Sequence, residues 1–358
     1  MIDKKIKVLV CGTTFGRIYI NGIRKLRPKY EIAGILSRGS KQSRKCAEEY
    51  NIPLYTDIED IDKEKFDLAC VVVRTGIVGG QGTNIALKLL SKGINVIQEQ
   101  PVHYNELLEC YKIAKKNNCK YFLNTFYSHL TNIEKFKSIA QKIMKNTSPV
   151  YIDASCSLQV LFPLLDILGS MMGGLKPFII EDKVNIQGEI FSLLSGKLKG
   201  IPIAIRVQNQ IASNNPDNFF HFLHKITLGT EGGSLILTDT NGSILWNPRL
   251  FIPHDETGTL NLYTSPKYLN LPVTEIITAN EEVTYKEIYE DLWPEAISNA
   301  IEYFTILLDD ECKYKSSMQY NLSLCSVWNS VGEAIGVSKD VNAKTVIPLT
   351  LEDMGIKK

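Results

Sequence analysis

The first forty residues constrain this chain most. Lys7-Val-Leu-Val-Cys-Gly-Thr-Thr-Phe-Gly16 is an apolar run that breaks into a glycine turn. Phe15, Tyr19, Ile23 and Leu26 then recur at helical spacing, and a second apolar run ends at Gly34-Ile-Leu-Ser-Arg-Gly39. Strand, turn, amphipathic helix and strand open a βαβ unit in which the helix N-terminus, with its free backbone N–H groups, faces a pyrophosphate. The residue ending the second strand of such a unit meets the adenine ribose. An acid there would take the ribose hydroxyls, whereas Ser37 with Arg38 suits a 2′-phosphate. The expected cofactor is therefore NADPH, held by Gly12, Thr13, Thr14, Phe15 and Gly16 at the turn and by Ser37, Arg38 and Ser40 at the second strand.

The turn departs from the full glycine fingerprint. Aligning Gly16 with the third glycine of G-x-G-x-x-G puts Cys11 and Thr13 at the first two, with Gly12 between them. A β-branched residue is costly wherever a glycine uses positive φ, so the loop is expected to follow its own path, with the Thr13 or Thr14 hydroxyl turned to phosphate.

Up to residue 123 short β-rich runs alternate with helical patterns, the signature of a parallel sheet wrapped by helices. The strands fall at Lys7–Val10, Ile32–Leu36, Leu68–Val73, Asn95–Ile97 and Tyr121–Leu123, and Asn105 and Thr131 read as helix N-caps, Thr131 with Glu134 at capping-box spacing. Beyond residue 150 the period changes to two, as in Ile201, Ile203, Ile205 and Val207. Leu235 to Trp246 reads as a hairpin closed by Asn241-Gly242 in a type I′ turn. Helical patterns from about Thr284 to Leu308, interrupted by Pro294, and near Asn321–Ala334 would cover one face of that sheet. The expected architecture is a doubly wound α/β nucleotide domain of Rossmann type over 1–123, then an α+β domain with an open, mainly antiparallel sheet over 124–358, with substrate in the cleft between them.

Composition excludes several partners. With 358 residues, 40 basic against 39 acidic side chains and no long single-sign run, nothing marks a nucleic-acid footprint or a membrane surface. Met1-Ile-Asp-Lys-Lys leads straight into a strand and no apolar run would span a bilayer. The eight cysteines are scattered without a Cys-x-x-Cys, and Cys11, Cys70 and Cys110 sit in buried patterns, so reduced thiols in the cytoplasm are expected. His221-Phe-Leu-His224 lacks the further ligands of a zinc site, and no metal is expected.

Two clusters can carry chemistry. Gln98-Glu-Gln-Pro-Val-His103 closes a strand whose carboxyl end lines the ligand crevice, which makes Glu99, Gln100 and His103 candidates at the reacting ring of the cofactor. Asn124-Thr-Phe-Tyr-Ser-His129 follows the last strand of the first domain. Reduction of an imine or carbonyl needs a hydride on carbon and a proton on the heteroatom, and Tyr127 or His129 can supply the proton. Asp166, on a helical apolar run, is placed either to cap or to bind substrate.

In order and organisation the chain resembles the Gfo/Idh/MocA-type oxidoreductases over its full length. Most of that family carries Glu-Lys-Pro at the strand end, with a catalytic lysine, and a later His-x-x-Asp for substrate. Here the same places read Glu99-Gln100-Pro101 and Pro163-Leu-Leu-Asp166. The departures resemble one branch, the thiazolinyl imine reductases of yersiniabactin- and pyochelin-type assembly lines. That likeness rests on Val10-Cys-Gly-Thr-Thr-Phe-Gly16, Gly34-Ile-Leu-Ser-Arg-Gly-Ser40, Ala69-Cys-Val-Val-Val73, Gly79-Gly-Gln-Gly82, Gln98-Glu-Gln-Pro-Val-His103, Asn124-Thr-Phe-Tyr-Ser-His129, Lys225-Ile-Thr-Leu-Gly-Thr-Glu-Gly-Gly233 and Trp246-Asn-Pro-Arg249.

The resemblance implies NADPH-dependent reduction of a thiazoline C=N bond to a thiazolidine, on an intermediate tethered to a carrier domain of a nonribosomal peptide synthetase. It adds Arg74 to the cofactor-binding set with Glu99 and Gln100, and allows a homodimer. The branch commonly has a histidine, a proposed proton donor, where this chain has Gln100. Glutamine gives up no proton at neutral pH, which leaves Tyr127 as the acid, with water or His129 beside it, while Gln100 and Glu99 position the nicotinamide and the imine. The competing expectations are an NADP-dependent dehydrogenase of a free sugar derivative and a non-catalytic NADP-binding regulator.

Overall fold

A computed structural model describes residues 5–73, 80–185, 190–215, 217–263, 266–278, 283–344 and 347–357. The first part runs β1 (Ile6–Cys11), α1 (Gly16–Lys25), β2 (Tyr30–Leu36), α2 (Lys41–Tyr50), β3 (Leu54–Tyr55), β4 (Leu68–Val71), α3 (Gln81–Ser91), β5 (Asn95–Glu99), α4 (Tyr104–Lys116) and β6 (Tyr121–Asn124). Its six strands pair in parallel in the order β3-β2-β1-β4-β5-β6. The order reverses between β1 and β4, so their carboxyl ends open the crevice where a doubly wound sheet holds its ligand. Val8 to Cys11 and all of β4 are buried, which is why these strands read as continuous apolar runs rather than alternating ones. The strand expected over Leu68–Val73 ends at Val71.

The second part continues with α5 (Thr131–Asn146), β7 (Pro149–Ser157), α6 (Leu161–Met171), β8 (Phe178–Asn185), β9 (Phe191–Leu198), β10 (Ile201–Gln208), β11 (Gln210–Ile211), β12 (His224–Thr230), β13 (Gly233–Leu237) and β14 (Ile244–Pro248). It closes with α7 (Pro266–Leu269), β15 (Glu275–Thr278), α8 (Tyr285–Glu287), α9 (Trp293–Asp309), α10 (Glu311–Ile335) and β16 (Lys339–Asp340). Eight strands form one open sheet in the order β15-β14-β13-β12-β7-β10-β9-β8, antiparallel except for the β7/β10 pair. Alternating burial along β9 and β10 shows that helices cover one face only. The central cover is α6, in which every residue except Ser170 is buried, and α5 and α10 flank it. Seven of the eight cysteines are buried free thiols and Cys312 is exposed. No helix among the described residues is long and apolar enough to cross a membrane.

Three local expectations are corrected. The hairpin turn is not type I′, because neither Asn241 nor Gly242 adopts positive φ. The loop is longer: Thr238 N–H donates to Ser243 O at 3.1 Å and Gly242 N–H to Asp239 O at 2.9 Å. Asn132 Nδ2 donates to the carbonyls of Thr240 (2.9 Å) and Gly242 (3.0 Å), so a tertiary clamp overrides the local turn preference. The helix N-caps fall one or two residues before those expected. His103 precedes α4 with Glu106 accepting its backbone N–H at 3.3 Å, and Leu130 precedes α5 while the Thr131 hydroxyl donates to Glu295 at 2.9 Å. Finally, the helix expected over Thr284–Leu308 runs from α8 through a π-turn (Ile288–Leu292) into α9, and α9 packs on α1 rather than on the second sheet. The small residue Gly22 permits that approach: a Cβ there would lie 2.7 Å from Pro294 O.

Candidate active site

The glycine turn is built to face an anion. Gly12, at φ +99°, is the residue that requires glycine, since a Cβ would lie 2.6 Å from Val72 O. Thr13 and Thr14 avoid positive φ and carry no strain; Thr13 is buried and Thr14 exposed. Phe15 caps α1 without a side-chain acceptor and the first turn holds no acid; Ile18 N–H returns to Phe15 O at 3.0 Å, which leaves the N–H groups of Gly16 and Arg17 and the helix dipole to meet a pyrophosphate. A Cβ on Gly16 would touch Val10 Cγ1 at 3.4 Å, the close helix-on-strand packing of a third fingerprint glycine. At the end of β2, Ser37 is half-buried and Arg38 is exposed with no ion pair or hydrogen bond among the described residues. Ser40, expected at the cofactor phosphate, is engaged otherwise: its Oγ accepts from Ser43 N–H at 3.2 Å and caps α2. Arg74 lies outside the described residues.

Across the switch point, β5 and β6 deliver the polar groups. Glu99 pairs in register with Asn124, and Gln100 N–H donates to Asn124 O at 3.0 Å. Tyr19, from α1, donates its hydroxyl to Glu99 Oε2, and Asn124 Nδ2 donates to the Tyr19 hydroxyl at 2.6 Å and to Glu99 Oε2 at 3.4 Å. Burial without a counter-cation pushes the Glu99 carboxyl up to about 8, against a smaller downward pull from Tyr19. Gln100 Oε1 and Gln159 Oε1 are buried without a hydrogen-bond partner. Such orphaned acceptors cost on the order of 1–3 kcal/mol each, a cost that a donor from a ligand or solvent would offset.

Tyr127 is aimed by strain. Asn124 Oδ1 accepts the Phe126 N–H at 3.0 Å, Tyr127 N–H returns to Thr125 O at 2.7 Å, and Phe126 is held at φ +61°, ψ −68°. This is a γ-turn with a bulky residue in a sparsely allowed region, a cost of about 1–3 kcal/mol. The Tyr127 ring meets Phe126 at 4.9 Å and His224 at 5.0 Å, both edge-on. Its hydroxyl has no hydrogen bond among the described residues, and burial, then the neighbouring Glu99, Tyr289 and Asp239, raise the phenol well above its ordinary range. His224 is a fixed wall: Nε2 donates to Val160 O at 3.0 Å, which leaves Nδ1 to accept from the Thr240 hydroxyl at 2.9 Å. Burial holds this imidazole neutral, down at about 4.

The other candidates stand apart from this cluster. His103 packs on Trp328 at the start of α4, ring centroids 5.2 Å apart. His129 lines a cavity of about 640 Å³ together with Lys137, Asp166, Tyr303 and Tyr320, and burial and Lys137 lower it to about 4. Asp166 is saturated by internal donors: Thr125 Oγ1 at 2.5 Å, Ser128 Oγ, Tyr320 OH at 2.7 Å and Ser170 Oγ at 3.3 Å. It therefore anchors the 125–128 turn to α6 and α10.

Comparison with known proteins agrees with this geometry. Residues 6–125 match the family described as "Oxidoreductase family, NAD-binding Rossmann fold" (GFO_IDH_MocA), and residues 147–247 match "Thiazolinyl imine reductase Irp3-like, C-terminal". The chain is an Irp3-like member of the Gfo/Idh/MocA oxidoreductase family. No curated protein matched it by sequence. Among solved structures, an oxidoreductase from Agrobacterium radiobacter in complex with NAD+, L-tartaric acid and magnesium aligns with TM-score 0.65 at 12% identity, over 91% of this chain and 95% of that one. KijD10, a 3-ketoreductase from Actinomadura kijaniata in complex with TDP-benzene and NADP, aligns with TM-score 0.65 at 11% identity, over 95% and 100%. The WlbA dehydrogenase from Bordetella pertussis, in complex with NADH and UDP-GlcNAcA, aligns with TM-score 0.65 at 11% identity, over 94% and 96%. At these identities the likeness is one of fold.

Within this Irp3-like oxidoreductase, sequence reasoning missed Trp293. Its ring lies 5.7 Å from Phe15 and 5.4 Å from Phe126, bridging the cofactor turn to the γ-turn, and its Nε1 is a buried donor without an acceptor. The π-turn just before it sets this orientation, and such turns recur at functional sites. The available signal was Pro294, which marks the start of a helix and not the interruption of one.

Proposed function

We propose that the protein reduces the C=N bond of a thiazoline, tethered through a pantetheine arm to a carrier domain of a nonribosomal peptide synthetase, to a thiazolidine with NADPH. The observation that carries this reading is the residue set at the end of β5. The place of the usual lysine holds Gln100, whose amide neither gives nor takes a proton at neutral pH, while Tyr127, three residues beyond the Asn124 that accepts the Gln100 N–H, has a hydroxyl with no hydrogen bond among the described residues. The match of the second part to the Irp3-like C-terminal domain supports the same substrate class. The unpaired Arg38 beside Ser37 favours a 2′-phosphate over a bare ribose.

The bound dinucleotide supplies hydride. The chain's own residues do the rest: the amides opening α1 hold the pyrophosphate, Gln100 and Glu99 position nicotinamide and imine, and Tyr127, propped by His224 and Phe126, delivers a proton to nitrogen. The test is cofactor oxidation with NADPH against NADH on a thiazoline-bearing pantetheine thioester, product checked by mass. A gain of two hydrogens with NADPH preferred is expected. Binding of NADPH without turnover, or turnover only with a free sugar derivative, refutes the reading.

A further inference from the structure

We propose that Glu99 is the proton store of the site: its carboxyl holds the proton that ends on the substrate nitrogen, with Tyr127 as the relay at the cleft. This rests on the imine reading above. A protonatable group is needed because Gln100 has nothing to give, and Tyr127, its phenol raised by burial and by Glu99, is a weak acid unless its proton is replaced as it leaves.

The geometry singles out Glu99 in three ways. It adjoins Gln100 at the carboxyl end of β5 and pairs in register with Asn124 of β6, three residues before Tyr127, whose phenol its charge raises. Both of its donors, the Tyr19 hydroxyl and Asn124 Nδ2, reach Oε2, while Oε1 accepts from no described residue and the side chain keeps part of its surface open. A proton on this carboxyl therefore belongs on Oε1, the unclamped oxygen. The groups facing it are neutral: Tyr19 from α1, the Cys70 thiol from β4, Asn124 from β6 and Tyr127 from the γ-turn, with no lysine or arginine paired to it among the described residues. An uncompensated buried carboxyl keeps its proton at neutral pH, and this one is raised to about 8.

The step balances. As hydride from the reduced nicotinamide adds to carbon, the π electron pair of the C=N bond moves to nitrogen. The Tyr127 O–H breaks as an N–H forms; a water bridging the two side chains gives a proton to restore the Tyr127 O–H and takes the Glu99 proton in its place. Glu99 is left as a carboxylate that water reprotonates.

The test pairs infrared titration of the cofactor-free protein with the pH dependence of turnover. We expect a protonated-carboxyl band, absent in Glu99→Gln, that vanishes with a midpoint near 8, and a wild-type rate that falls over the same range. Glu99→Gln should lower turnover by up to about a hundredfold, no more than loss of its relay Tyr127, and abolish that alkaline limb. Tyr19→Phe removes a donor to the carboxylate, so both midpoints should move upward together. A wild-type protein with no such band at pH 7, or a Glu99→Gln enzyme that keeps wild-type turnover and alkaline limb, overturns the proposal alone. A protein that shows the band yet reduces no thiazoline overturns the substrate reading, and the proposal with it.

Discussion

Two glycine-to-alanine substitutions in helices should change stability in opposite directions. Gly22, in α1, would place a Cβ 2.7 Å from Pro294 O and 2.8 Å from Ile297 Cβ, both on or next to the backbone of α9. Neither atom can swing aside, so α9 must lift. Overpacking of this kind costs about 1–3 kcal/mol, while alanine in a helix interior returns about 1 kcal/mol, leaving a net loss of up to about 2 kcal/mol. Gly332, in α10, meets nothing within 4 Å, so Gly332→Ala should keep only the helical gain, up to about 1 kcal/mol. Urea denaturation of both variants gives the signs directly from the midpoints. Lifting α9 also moves Trp293 off Phe15 and Phe126, so Gly22→Ala should weaken dinucleotide binding while Gly332→Ala leaves it unchanged. A Gly22→Ala protein more stable than wild type would show that α1 and α9 do not pack as described.

Gly12→Ala combines positive-φ strain with contact against Val72 O, and should abolish dinucleotide binding, by fluorescence titration, with the fold retained by circular dichroism. Arg38→Ala should raise the NADPH KM about tenfold or more, the worth of one charge-assisted hydrogen bond, and leave the NADH KM unchanged; equal effects on both would remove Arg38 from the 2′-phosphate. Tyr127→Phe should lower turnover by no more than about a hundredfold, because a basic imine nitrogen also takes its proton from water; complete loss with intact NADPH binding would refute that role. Stability should peak near pH 6.5. His129 and His224, lowered to about 4, bind fewer protons folded than unfolded between about 4 and 6.5, so each adds stability with rising pH at up to about 1.4 kcal/mol per unit. Glu99, raised to about 8, binds more protons folded and subtracts the same slope up to about 8. The net is an acid-side rise worth about one histidine and an alkaline decline due to Glu99, so in thermal melts Glu99→Gln should flatten the decline and His224→Gln the rise.

What was legible in the sequence follows from how local each signal is. The βαβ opening could be read because parallel strands buried on both faces leave continuous apolar runs such as Val8 to Cys11, and because the free N–H groups of a helix N-terminus leave a glycine turn without an acid. The second sheet could be read because one open face leaves a period of two along β10. The remainder depended on long-range partners. Nothing in Leu235 to Trp246 announces that Asn132, on α5, will grip two loop carbonyls and replace the expected turn. Nothing around Ser40 tells a phosphate-binding hydroxyl from a helix cap until α2 is seen to start there. At the site, the motif Asn124 to His129 was visible as a block but its division of labour was not. Asn124 bends the chain through Phe126, so Tyr127 meets His224 while Ser128 and His129 turn to the cavity beside Asp166. One strained residue thus decides which of two neighbouring candidates, a tyrosine or a histidine two positions on, stands beside the carboxyl end of β5. A φ of +61° at a phenylalanine has no propensity signature, because it exists only where Asn124 and the aromatic packing of Phe15 and Trp293 hold it.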